Sequence, residues 1–176
     1  MKKNDKSIYI VLTYTGTILS KIIKLFTRAE YCHVSLSLDK ELEEMYSFGR
    51  LNPYNPFIGG FVHEGINHGT FKRFKKTKAE IYEIKVTYNQ YNKIKKVIND
   101  FNINKDDYKF NKLGVFLASV NYKYTKENSF YCSEFVKYLI EEAEIDIELK
   151  DIMKPIDFKE IIDDDFLYKG KLRNYN

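Results

Sequence analysis

A chain of 176 residues has room for one domain with a real core and is short for two. With 44% hydrophobic and 31% charged residues the composition is globular, which excludes a disordered chain. A formal net charge of only +4 gives no reason to expect a nucleic-acid partner.

The opening Met1-Lys2-Lys3-Asn4-Asp5-Lys6 is charged and lacks the apolar stretch of a signal peptide. No run reaches the roughly 18 apolar residues of a membrane span. A cytoplasmic location is expected, and in that reducing compartment Cys32 and Cys132 are expected to be free thiols.

Ser7–Tyr14 reads as a strand whose run Ile8-Tyr9-Ile10-Val11-Leu12 calls for burial on both faces. Ile18, Leu19, Ile22, Ile23, Leu25 and Phe26 recur at helical spacing, with Lys21, Lys24 and Arg28 opposite. Packing on a sheet is the plain reading of this helix; a basic amphipathic helix lying on a membrane is the sharper one. His33–Asp39 alternates as a strand, with Leu42–Phe48 as its hairpin partner across Lys40-Glu41. The prolines and glycine pair in Arg50–Gly60 mark a loop, and Phe61–Glu64 a short strand.

Phe71–Lys78 is a basic run interleaved with aromatics, read as a solvated lysine-rich loop. Glu80–Thr87 is a strand, and Tyr88–Asn102 a helix with Tyr91, Ile94, Val97, Ile98 and Phe101 on one side. Leu113–Val120 is an apolar run best taken as a buried helix. Cys132–Ala143 is a helix with Phe135, Val136, Leu139 and Ile140 as its stripe. Beyond Asp146 a loop, a short helix near Asp157–Ile162 and an extended segment are expected. No repeat or linker divides the chain, so 1–176 reads as a single domain.

Two segments carry the chemistry. Cys132 opens a helix, where unpaired backbone N–H groups and the positive end of the dipole favour a thiolate. The same N–H groups can hold the oxyanion formed when a thiolate attacks a carbonyl. His33 opens a strand and can act as base and then as acid. It precedes the cysteine by 99 residues (132 − 33), the reverse of the usual papain order. Cys32, its neighbour, points to the other face of an ideal strand and has no helix terminus beside it, so it reads as core. A base of this kind needs a third group to orient its ring. With Lys40-Glu41 as the turn, facing residues sum to about 81, which sets His33 opposite Phe48 with Ser47 one step away. Ser47 is therefore the best-placed polar candidate, with Glu44 and Glu64 as outsiders. His63 and His68 make no recognisable metal spacing, and no phosphate-binding glycine loop is present; no cofactor or metal is expected.

His33-Val34-Ser35-Leu36-Ser37-Leu38-Asp39 and, far downstream, Tyr131-Cys132-Ser133-Glu134-Phe135-Val136 resemble the circularly permuted branch of the NlpC/P60 papain-like superfamily. Met45-Tyr46-Ser47-Phe48-Gly49-Arg50 resembles the second strand of its hairpin, and Lys154-Pro155-Ile156-Asp157-Phe158 its proline-and-acid segment. The likeness covers about Ile8 to Tyr168. It implies an α+β fold with a small antiparallel sheet packed against the nucleophile helix. It also implies a catalytic set of Cys132, His33 and a polar third position at or near Ser47, where that superfamily uses Glu, His, Asn or Gln. The activity implied is hydrolysis of amide or ester bonds through an acyl-enzyme, on peptide-like, N-acyl or lipid substrates. The alternatives are acyl transfer by a peripherally membrane-bound enzyme, docked through Ile18–Phe26 and the basic run, or a binding module of the same fold without activity.

Overall fold

Ile8, Ile10 and Leu12 alternate with Tyr9 and Val11 along β1 (Lys6–Tyr14), and all five are buried, because β1 lies inside a sheet covered on both faces. In the computed structural model, residues 6–17, 20, 21, 24 and 29–175 are described, with backbone alone at 56 and 57. The predicted helix over Ile18–Phe26 lies largely outside the described residues.

Around β1 the sheet adds β2 (His33–Ser37), β3 (Met45–Asn52), β4 (Asn55–Glu64), β5 (Lys78–Val86) and β8 (Phe166–Lys171). The order is β4-β3-β2-β1-β5-β8, with every neighbouring pair antiparallel. The fold is mixed α+β, with five helices among the described residues: α1 (Gly69–Arg73), α2 (Tyr88–Ile103), α3 (Lys112–Ser119), α4 (Cys132–Glu142) and α5 (Pro155–Ile161). No described helix is long and apolar enough to cross a membrane.

The main core forms where α2 and α4 cover one face of the sheet. Helix α2 starts in a capping box: Gln90 N–H donates to Thr87 Oγ1 (3.3 Å), and Thr87 N–H donates to Gln90 Oε1 (2.9 Å). Its Ile94, Ile98 and Phe101 meet Phe135, Val136, Leu139 and Ile140 of α4 over Ile10, Leu36 and Phe48. The rings of Phe101 and Phe135 are 5.1 Å apart, nearly edge to face. Each such side chain taken from water contributes about 1.5–3 kcal/mol, so this stripe fixes α4 and with it Cys132. A smaller core on the opposite face gathers Tyr9, Val11, Met45, Phe71 and Ile81.

Four expectations need correction. The turn after β2 is wider than Lys40-Glu41: β3 begins at Met45, paired with Ser37. The Asp39 carboxylate accepts the backbone N–H groups of Glu43 (3.1 Å) and Glu44 (2.7 Å), and Leu42 takes a positive φ of 57°. Facing residues then sum to 82, which puts Ser35 across from Ser47 and, by extension, His33 across from Gly49. Second, the expected loop Arg50–Gly60 is strand almost throughout, because Pro56 falls on an edge strand, where its missing N–H costs no ladder bond. Third, the basic run is not simply a loop: its first three residues complete α1, Lys78 begins β5, and Phe71 is buried. Fourth, Leu113–Val120 is a helix that is not buried; Gly114 and Ala118 face inward while Leu113, Phe116 and Val120 are 50%, 59% and 63% exposed.

A short parallel pair, β6 (Lys109–Phe110) with β7 (Ser129–Phe130), ties α3 to the approach to α4. The N–H of Asn111 donates to the Phe130 carbonyl at 2.9 Å, one residue short of Tyr131 and two short of Cys132. Gly59 makes this tie possible, since a Cβ there would lie 2.9 Å from the Phe110 ring.

Candidate active site

Cys132 is the first residue of α4, and His33 is the first residue of β2. The two side chains come together where both elements begin, lining one cavity, and the thiol lies close enough to act on the charge of the ring. The thiol is nearly buried, at 8% exposure. The start of α4 is anchored on either side of it: Tyr131 N–H donates to Glu134 Oε2 (3.3 Å), and the Ser133 hydroxyl donates to the Met153 carbonyl (2.7 Å).

The group behind His33 is Glu64. Its Oε2 lies 2.9 Å from His33 Nε2. The Ser35 hydroxyl donates to the same oxygen at 2.6 Å and sits 3.3 Å from Nε2. Ser35 is two residues beyond His33 and so shares its face of the sheet. Glu64 reaches across from β4 over β3, and Gly49 leaves that lane open: a Cβ there would be 3.3 Å from His33 Cε1 and 3.6 Å from Glu64 Oε1.

Ser47 is therefore not the orienting group. It is buried, and its hydroxyl donates to the Val34 carbonyl at 2.6 Å, fastening β3 to β2. Glu44 is occupied elsewhere, accepting the Tyr46 hydroxyl. Replacing Ser47 by alanine is expected to cost about 1 kcal/mol of stability, the net worth of one such hydrogen bond. It should leave iodoacetamide labelling of Cys132 within twofold of wild type; urea unfolding and labelling rates check the two halves of this prediction.

The electrostatics of the trio are those of a buried ion pair. Burial opposes charge on His33 and is the largest single influence. The Glu64 carboxylate, helped by the nearby Cys132 thiol, outweighs it and pushes the imidazole up to about 10. Burial likewise opposes charge on Glu64, but His33 and the Ser35 hydroxyl together hold the carboxyl below its usual range.

The trio opens onto a cavity of about 430 Å³, within the range of small-molecule sites. Its walls are mainly apolar, with Tyr31, Phe71, Phe110, Phe116, Met153 and Ile156 among them. Cys32 also lines it, contrary to the expectation that it lies on the other face of the strand from His33, in the core. It precedes the first residue of β2, so strand alternation does not govern it; its Sγ donates to the Ser20 carbonyl at 3.4 Å. Burial, reinforced by the proximity of Cys132, pushes the Cys32 thiol up to about 11. Both cysteines are free.

His63 and His68 pack against each other, rings 4.9 Å apart, beside the Glu43 carbonyl. Among the described residues, no three His, Cys, Asp or Glu side chains are grouped to hold a metal ion.

Comparison with known proteins returned no match: no family model, no curated protein and no solved structure matches the chain.

Proposed function

We propose that this chain is a thiol-dependent hydrolase of amide or ester bonds, built on the permuted papain-like arrangement of NlpC/P60-type enzymes. The observation that carries the reading is the grouping of the Cys132 thiol, the His33 imidazole and the Glu64 carboxylate in the wall of one apolar cavity, with Glu64 bonded to the ring. Because Glu64 holds the His33 imidazole in its charged form, the reacting state pairs that imidazolium with the Cys132 thiolate, whose sulfur attacks a carbonyl carbon. The resulting oxyanion faces the unpaired N–H groups that any helix leaves in its first turn. The imidazolium then protonates the leaving amine or alcohol, leaving an acyl-thioester on Cys132. Water, deprotonated by the now neutral His33, attacks the thioester, frees the acid and restores the imidazolium beside the sulfur anion. Glu64 keeps the ring oriented and stabilises its charged form whenever it carries the proton.

Apolar walls suit an acyl or other hydrophobic substrate group, and two free thiols suit the cytoplasm as the location. A second reading, acyl transfer at a lipid surface, is favoured by one feature: Leu113, Phe116 and Val120 form an exposed apolar stripe on α3 beside the cavity.

The test is alkylation by iodoacetamide at pH 6, with the modified residue located by mass spectrometry. At that pH the Cys32 thiol, pushed up to about 11, stays protonated and does not compete. His33→Ala is expected to slow labelling of Cys132 at least tenfold. Equal rates in the two proteins would remove the case for an activated nucleophile.

A further inference from the structure

Arg50 lines the same cavity as Cys132 and His33, and its charge has no carboxylate partner among the described residues. Its Nη2 donates to Thr17 Oγ1 at 2.7 Å, and its guanidinium carbon lies 5.7 Å from the centre of the Phe74 ring. The neighbouring charged group is another cation, Arg73, which stacks over Tyr54 at 3.8 Å. Burial, with Arg73 adding to it, holds the Arg50 guanidinium below its ordinary range. Two further cations, Lys112 and Lys154, line the cavity; Lys154 donates to Asn121 Oδ1 at 2.6 Å.

The one acidic side chain in the lining among the described residues, Glu64, is already committed to His33 and Ser35. Thr13, fully buried in the same wall, has a hydroxyl with no hydrogen-bond partner among the described residues. A half-buried guanidinium beside a second cation is costly when left alone. A carboxylate or phosphate repays that cost, because its oxygens match the planar fork of N–H donors.

We infer that Arg50 is a specificity residue that binds an oxyanion group on the substrate, so that this site takes anionic amphiphiles: a hydrophobic acyl part in the apolar cavity, joined through the scissile bond to a carboxylate- or phosphate-bearing part. The inference rests on the hydrolase reading for where the scissile bond sits, though not for the binding of the anion. Neutral esters and amides lack the group that answers Arg50 and bind more weakly. Carboxylate-bearing N-acyl amino acids and phosphate-bearing acyl derivatives are the two sources of the same chemistry.

The experiment has a binding arm and a turnover arm. In the first, calorimetry on Cys132→Ser protein compares N-dodecanoylglycine, N-dodecanoylglycinamide and N-dodecanoyl-phosphoethanolamine. At least one anionic compound is expected to bind tenfold or more tightly than the neutral amide, and whichever does so identifies the source. Adding Arg50→Gln should remove the preference while leaving the neutral compound within twofold, and Arg50→Lys should restore part of it. In the second arm, release of dodecanoic acid by otherwise wild-type protein should show Arg50→Gln raising KM for the preferred anion with kcat little changed. Equal binding of anionic and neutral compounds, or an equal loss for all three in Arg50→Gln, overturns the inference. Anion-selective binding without turnover by wild-type protein leaves Arg50 in place and counts against the hydrolase reading instead.

Discussion

Cys132→Ser is expected to abolish hydrolysis of dodecanoyl p-nitrophenyl ester by otherwise intact protein, lowering kcat by roughly 10³-fold or more. The hydroxyl is nearly isosteric but far less acidic than the thiol, so the His33 base cannot ionise it to a useful extent. The position is nearly buried on a helix anchored by Ser133 and Glu134, so the change should leave the thermal midpoint within a few degrees of wild type. Initial rates with the ester, alongside a melting curve, separate loss of chemistry from loss of fold. Retention of more than a tenth of the wild-type rate would mean that the thiol is not the nucleophile.

The second large effect belongs to Glu64→Gln. An amide of the same shape cannot balance the imidazolium, so His33 returns toward its ordinary value and its ring loses its charged anchor. Turnover is expected to fall roughly 10²- to 10⁴-fold, and stability near pH 7 by about 3 kcal/mol, as for one lost partner of a buried pair. The pH dependence carries the clearer signature. His33 is raised from 6.5 to about 10 on folding, so its contribution is full below about 6.5 and is lost as pH climbs toward 10. Glu64 is lowered, so its contribution is present above its ordinary value and is lost as pH falls through the depressed one. Wild-type protein should therefore lose urea resistance between pH 6.5 and 10, and the variant should show a much flatter profile across that window. A variant whose alkaline limb matched wild type would show that the pair does not couple to folding.

Much of this was legible in the residues, for reasons that differ by element. The burial of β1 on both faces and the periodicities of α2 and α4 are set by local apolar spacing, which survives any tertiary arrangement. The roles of Cys132 and His33 as candidates followed from their positions at the starts of a helix and a strand. What failed depended on register. Seven residues, rather than two, connect β2 to β3 because Asp39 caps the Glu43 and Glu44 amides, and that moved Ser47 off the histidine. Pro53, Pro56 and the glycine pair disguise the first part of β4 as a loop, so the short strand Phe61–Glu64 gives no sign of the pairing with β3 that carries the carboxylate to His33. The exposure of α3 was missed because an apolar run states what a segment contains, not whether the sheet has a free face left to cover it.

The strand order has a consequence for how the protein comes into being. Strands β1 to β4 follow one another both in sequence and across the sheet, so His33 and Glu64 are brought together by short, successive hairpins within the first 64 residues of the chain. The thiol arrives 68 residues after Glu64 (132 − 64), on a helix that docks only across a long loop closure. On the ribosome, then, the His33–Glu64 pair is synthesised well before the Cys132 thiol, and the cavity wall is completed only after it, by the segment around Met153 and Ile156.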